Sequence, residues 1–266
     1  MGILNRLESY WNWLTADPLG FIVYVVYFAV SVLAALILHE VGHAYVAFRC
    51  GDPTAKMLGR LTLNPLKHLD PIGTACMVLL GFGWARPVPV NPRNFSNYRR
   101  DDFLVSIAGI TVNFTLFLLS LALAVGFNGL LWKPEVLAAN GGAKPFLTAD
   151  GVGYAILASG SGADYQRFML HPWVQYIQRF LLMFAYMNLA LAIFNLLPIP
   201  PLDGFHIFND ILLGGRLRLN QQTFEITRIA LMVLCFTGIL SRMLTFVNDA
   251  VGDAVLNLLL MLVGKA

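Results

Sequence analysis

Four long apolar stretches, at about residues 20–48, 102–126, 173–198 and 223–246, set the pattern of the chain, each bounded by polar or Gly/Pro-rich sequence. The hydrocarbon core of a bilayer is crossed by about 20 residues of helix, so each stretch predicts a transmembrane helix. Two shorter apolar pieces, 72–83 and 250–263, fit a re-entrant, interfacial or tilted short span. Ahead of the first stretch, Ile3, Leu4, Leu7, Tyr10, Trp11 and Leu14 recur at helical spacing opposite Asn5, Arg6, Glu8 and Asn12. That alternation predicts an amphipathic helix over 1–18 lying in the membrane interface. The first apolar run lacks the basic leader and small-residue cleavage site of a signal peptide. No repeat of fixed period is present.

Composition strengthens this picture. Of 266 residues, 58% are hydrophobic and only 12% are Asp, Glu, Lys or Arg, against about a quarter charged in a soluble domain. The expectation is an all-α polytopic membrane protein of about four to six transmembrane helices, with small re-entrant or interfacial β-strands near its active site. A net charge of +3 offers no broad cationic face, so no nucleic-acid partner is expected. Cys50, Cys76 and Cys235 share no redox or metal spacing.

Charge also predicts an orientation. Arg49, Lys56, Arg60, Lys67, Arg86, Arg93, Arg99 and Arg100 crowd the loop between the first two spans, which the positive-inside bias places in the cytoplasm. Segment 127–172 then lies outside, as a Gly/Ala-rich loop with at most one short apolar element at 151–158. Arg216 and Arg218 fall in the next inner turn. The domain reading is an interfacial helix at 1–18, a core at 19–215 that includes the extramembrane loop 127–172, and one or more C-terminal transmembrane helices at 216–266. The chain reads as a multi-pass protein of a plasma or inner membrane.

The first span carries His39-Glu40-Val41-Gly42-His43. Positions i and i+4 share a helix face, so two imidazoles can hold one zinc ion, and the carboxylate of Glu40 can reach a water on that ion and take its proton. Ionisable groups inside a span are costly and mark function. A catalytic zinc takes three protein ligands and leaves a fourth position open. Asp203, in Asn195-Leu196-Leu197-Pro198-Ile199-Pro200-Pro201-Leu202-Asp203-Gly204, is the best third ligand, because the inner ends of the first and third spans lie on one side of the membrane. Helix N-capping is an equal alternative for Asp203 taken alone. The three prolines break the helical ladder, and freed backbone at membrane depth belongs where protein or a water-filled cavity surrounds it.

His39-Glu40-Val41-Gly42-His43, together with Asn195, Pro198 and Leu202-Asp203-Gly204, resembles the site-2 protease family of intramembrane zinc metalloproteases. Leu63 to Gly73 and Trp84 to Pro92 resemble the small members without a PDZ domain. The resemblance implies peptide-bond hydrolysis in the membrane plane, with one zinc ion per chain held by His39, His43 and Asp203 and with Glu40 as general base. Its partners would be a transmembrane protein substrate and the lipid bilayer, with a regulatory membrane partner left open. Gly109-Ile110-Thr111-Val112-Asn113 stands where the family commonly has Gly-Pro-x-x-Asn, and Phe205 and His206 follow Leu-Asp-Gly where many relatives have a second small residue.

Asn113 and Asn195 place amides in apolar surroundings, suited either to binding the substrate backbone or an oxyanion or to bonding between helices. His206 is read as a solvated or carbonyl-bonded side chain and His68 with Asp70 as an interfacial pair. His171 lies on the outer side. Pro87 and Pro89, two apart, strip the donors from one edge of a strand at 84–90. Pairing with a strand around 60–63 and addition of substrate along it are expected. A metal-ion transporter and a helix-binding protein with a structural zinc are the competing classes. The first would tolerate loss of the Glu40 carboxylate, and the second would need a fourth ligand.

Overall fold

The structure is a computed structural model and describes residues 3–71, 73, 85–159, 164–217 and 219–264. Ten α-helices are present among them: α1 (Ile3–Ala16), α2 (Pro18–Arg49), α3 (Thr54–Met57), α4 (Tyr98–Leu131), α5 (Pro134–Ala139), α6 (Val152–Ala158), α7 (Val174–Asn195), α8 (Asp203–Leu212), α9 (Gln221–Thr237) and α10 (Ile239–Leu262). Four are long and apolar enough to cross a membrane: α2, α4, α7 and the Arg242–Leu262 part of α10. The protein is thus mostly helical and multi-pass in character.

The fourth span differs from expectation. Helix α9 ends at Thr237, where Gly238 takes a left-handed conformation and donates its N–H to the Cys235 carbonyl. A glycine C-cap of this kind stops a helix. The apolar run at 223–246 is therefore divided, and its second half joins 250–263 in α10. The expected short span at 72–83 lies almost wholly outside the described residues, as do Cys76 and Trp84.

No strand occurs among the described residues. The pairing expected between 60–63 and 84–90 is replaced by an isolated antiparallel bridge between Leu69 and Ala85, with the Arg86 N–H donating to the His68 carbonyl. The reason is local: the Arg60 N–H closes the turn after α3 on the Ala55 carbonyl, so its backbone is not extended. Its side chain reaches across instead, Nη2 donating to the carbonyls of Arg86 and Pro87.

The chain divides into two compact units. The first consists chiefly of Leu33–Phe114 and Leu191–Leu244. Among the described residues, three small apolar clusters contribute to it. Ala44, Ala55 and Val88 hold the 85–91 segment to α2 and α3. Ile110, Ala192 and Ile207 join α4, α7 and α8, and Leu202, Leu231 and Leu240 join the start of α8 to α9 and α10. Asp52 ties this unit's loops together. Fully buried, it accepts from the N–H and hydroxyl of Thr54, from the Asn91 N–H at 2.7 Å and from Asn94 Nδ2 at 2.7 Å.

Burial opposes ionisation of Asp52, but those hydrogen bonds outweigh it and hold its pKa below the usual value. A depressed carboxylate stabilises the fold above its ordinary pKa of about 4 and loses that contribution as pH falls through the depressed value. We expect Asp52→Asn to cost about 2–3 kcal/mol near pH 6. The gap in thermal midpoint from the wild type should narrow near pH 3. An equal gap at both pH values would refute the ionised carboxylate as the source.

The second unit contains Leu4–Val32, Thr115–Ala190 and Thr245–Ala266. Tyr10 and Trp13 of α1 pack edgewise on Phe21 of α2, at ring-centroid distances of 5.8 and 5.7 Å. Asp17 accepts the Gly20 N–H at the start of α2, a carboxylate capping a helix N-terminus. The 127–172 segment is more ordered than a plain loop. It contributes α5 as well as α6 and buries Trp132 against Phe146. Tyr186 donates its hydroxyl to the Leu147 carbonyl, and Lys144 pairs with Asp253 at 2.9 Å.

Candidate active site

All the residues singled out for chemistry lie in the first unit. His39 and His43 stand one turn apart on α2, both buried, with rings at right angles and centroids 4.5 Å apart. Their Nε2 atoms approach to 3.0 Å. Asp203 is the first residue of α8, and its Oδ2 lies 3.3 Å from each imidazole Nε2. The residue flanking α8 is Leu202, without a side-chain cap, so Asp203 faces the histidines rather than capping its own helix. A carboxylate in a helix's first turn is also favoured by the partial positive charge there.

The tautomer of His43 follows from its other nitrogen. Nδ1 lies 2.7 Å from the Val105 carbonyl of α4, and a carbonyl only accepts, so Nδ1 carries the proton. In the neutral ring Nε2 then presents a lone pair. The carboxylate Oδ2 of Asp203 has no hydrogen-bond partner. Two imidazole nitrogens and a carboxylate oxygen thus converge within 4.8 Å of one another, a set of ligand atoms able to hold a metal ion. Zinc bonds of about 2.0–2.1 Å in tetrahedral geometry place ligand atoms roughly 3.3 Å apart. The donor set and its spacing fit that ion.

Two glycines permit the convergence. A Cβ at Gly109 of α4 would lie 2.4 Å from His43 Nε2 and 2.5 Å from His39 Cε1, so only glycine lets α4 lie directly on the imidazole pair. A Cβ at Gly204 would fall 2.2 Å from the Leu196 carbonyl oxygen. The bare backbone at Gly204 lets the start of α8 fold back on the end of α7, after the Pro198 to Pro201 turn that contains a cis Pro200-Pro201 bond.

Glu40 places Oε2 2.7 Å from the Val88 N–H. The 85–91 segment therefore fixes the orientation of the carboxylate that lies between the two histidines in sequence. Asn113 is fully buried one turn beyond Gly109 on α4, and neither its Nδ2 nor its Oδ1 has a partner. Asn195 donates Nδ2 to the Leu191 carbonyl of its own helix. Neither amide bonds to another helix among the described residues. His206 places Nδ1 3.2 Å from Asp102 Oδ2, and that bond raises its pKa against the opposing effect of burial. His68 faces the Thr62 carbonyl through Nε2 instead of Asp70, which accepts from the Gly73 N–H. His171 belongs to the second unit and is exposed.

Sequence reading passed over the first turns of α4. Val105 supports His43, Asp102 meets His206 on α8, and Arg99 Nε donates to the Asp210 carbonyl at 2.7 Å. One helix segment thus braces both helices that carry converging donors. A backbone carbonyl has no residue signature. Only the acidic and basic residues opening the span hinted at this role.

A His-x-x-x-His helix meeting an aspartate in such a cluster supplies the three protein ligands typical of a catalytic metal site. The pattern of Peptidase family M50 matches residues 27–241. Bacillus subtilis (strain 168) YwhC is 38% identical over 232 residues, covering 87% of this chain and 90% of YwhC. Rip2 of Mycolicibacterium smegmatis is 27% identical over 201 residues, 73% of this chain. Rip2 of Mycobacterium tuberculosis H37Rv is 30% identical over 197, 72% of this chain. The chain spans 61% and 59% of those two Rip2 proteins. The given names of all three carry the term zinc metalloprotease. No solved structure matches the chain. The chain belongs to Peptidase family M50, the site-2 protease family, and is a zinc metalloprotease.

Proposed function

We propose that this protein is an intramembrane endopeptidase that hydrolyses a peptide bond in or near the transmembrane segment of a membrane-protein substrate. The observation that carries the reading is the convergence of His39, His43 and Asp203 donor atoms on a helix apolar enough to cross a membrane. These three residues would hold one zinc ion per chain. Zinc there would supply Lewis acidity, lowering the pKa of water and polarising the substrate carbonyl.

The remaining work falls to the chain's own groups. With Oε2 held by the Val88 N–H, the Glu40 carboxylate accepts the proton of the attacking water through its other oxygen and passes it to the departing amine. Asn113 has an unbonded buried amide. Such a group is costly unless it has a partner, and its N–H groups suit the substrate carbonyl or the developing oxyanion. Asn195 keeps its amide oxygen to accept a substrate N–H.

The 85–91 segment has less to offer a substrate strand. Its Arg86, Val88 and Asn91 N–H groups are engaged within the protein, and Pro87 and Pro89 have none. The basic loop 49–101 places this site near the cytoplasmic face by the positive-inside bias.

The test incubates purified, zinc-loaded protein with single-span membrane proteins and follows fragment formation with and without chelator. Fragments that vanish on chelation and return with zinc are expected. Asn113→Ala, with zinc retained, should slow the reaction by about 10²–10³. Zinc movement into sealed vesicles without any cleavage would overturn the peptidase reading, and an undiminished Asn113→Ala rate would remove the amide from it.

A further inference from the structure

Next to the peptidase site, a cavity of about 670 Å³ opens beside the 85–91 segment, whose Val88 N–H holds Glu40. Arg60, Lys67 and Arg86 line it together with Leu58 and Leu66. Among the described residues none of the three cations forms an ion pair, although the first unit has several elsewhere. Arg60 is only 8% exposed. Its Nη2 bonds two carbonyls, while its Nε–H is buried without a partner. Burial and then the neighbouring charge of Arg86 lower its pKa, with Glu40 offsetting part of this. A buried guanidinium beside a second guanidinium, with no carboxylate in contact, is an electrostatic deficit.

The surroundings select the anion. Met57, Leu58, Leu63 and Leu66 are all exposed, Met57 to 80% and Leu66 to 78%. Four large apolar side chains within ten residues, in a loop that also carries the cations, are poorly suited to water. Each such side chain left in water forgoes the stabilisation of apolar burial. A cationic floor with an apolar rim is the pattern of a segment seated among headgroups with its apolar residues turned to acyl chains. The basic loop is also the one that the charge bias directs to the cytoplasmic leaflet, where anionic lipids concentrate.

We infer that this pocket binds the phosphate of an anionic phospholipid, Arg60 and Arg86 receiving the phosphodiester oxygens, Lys67 adding charge at the mouth, and Leu58 and Leu66 meeting the first methylenes of the acyl chains. Guanidinium groups match phosphate oxygens in pairs.

The test is native mass spectrometry of the full chain released from neutral detergent, with phosphatidylglycerol and phosphatidylcholine of identical acyl chains offered in turn. Wild-type protein should retain phosphatidylglycerol at least about tenfold better. Arg86→Gln combined with Lys67→Gln should abolish that preference, Arg86→Lys should keep most of it, and Arg93→Gln, outside the pocket, should leave it intact. These exposed positions are used because Arg60 also braces the 86–87 backbone.

Equal retention of the two lipids would overturn the assignment, as would an undiminished preference in the double variant. Displacement of the lipid by millimolar inorganic phosphate, with equal occupancy by phosphate alone, would assign the pocket to a soluble anion. Stronger displacement by an acidic peptide would assign it to substrate.

Discussion

Gly109→Ala protein should purify folded but bind zinc at least about 100-fold more weakly than the wild type, with peptidase turnover lost in proportion. The added Cβ would lie 2.4 Å from His43 Nε2, 2.5 Å from His39 Cε1 and 2.6 Å from His39 Nδ1, well inside contact distance. The imidazoles cannot yield cheaply. His43 is held through Nδ1 by Val105, four residues before Gly109 on the same helix, so the clash and the hydrogen bond act on one ring. Either the rings turn away from Asp203 or α4 withdraws and takes the Val105 carbonyl with it. Losses of 10–100-fold are usual when only the support of a ligand is removed; here the ligands themselves must move. Gly126→Ala is the matched control, since nothing lies within 4 Å of a Cβ at that site on α4. Chelator competition measures the affinity. Zinc binding of wild-type strength in Gly109→Ala would show that the close approach of α4 to the histidines is wrong.

Glu40→Gln should behave in the opposite way, keeping its zinc and losing its rate. The Gln amide oxygen can still accept from the Val88 N–H, which Glu40 Oε2 meets at 2.7 Å, so the side chain should hold its place. An amide does not take up a proton near neutral pH, and positioned proton transfer contributes about 10²–10⁴ to a rate. The expected loss in kcat is of that order, with the zinc content and substrate KM little changed. An unchanged kcat would remove Glu40 from the chemistry. Loss of zinc along with activity would make the residue a ligand or a packing element instead.

How far the sequence reveals this arrangement depends on what each feature is made of. His39 and His43 are legible because the i, i+4 spacing is itself a geometric statement about a helix. Asp203 is legible through its resemblance to a Leu-Asp-Gly element and through span parity; the sequence alone leaves it divided between ligand and cap. The reason for glycine at 109 and 204 is not legible, since it consists of neighbouring atoms more than 60 residues away for one and a folded-back turn for the other. Val105 and Val88 act through backbone atoms and leave no trace in residue identity. The apolar run at 223–246 misleads because hydropathy averages over Gly238, while the helix stops there. The expected strand at 84–90 fails for a similar reason. Pro87 and Pro89 remove two donors, but hydropathy and proline spacing do not say that the Arg86, Val88 and Asn91 N–H groups already have partners in His68, Glu40 and Asp52.

The brace at the start of α4 has a mechanical consequence. Because Val105 steadies one imidazole while Asp102 and Arg99 grip the helix that begins with Asp203, a tilt of α4 would move the His43 ring and the Asp203 carboxylate together. These two ligands would then shift as one unit. A neighbouring transmembrane segment that leans on α4 would have a lever on the whole centre without touching any atom of it.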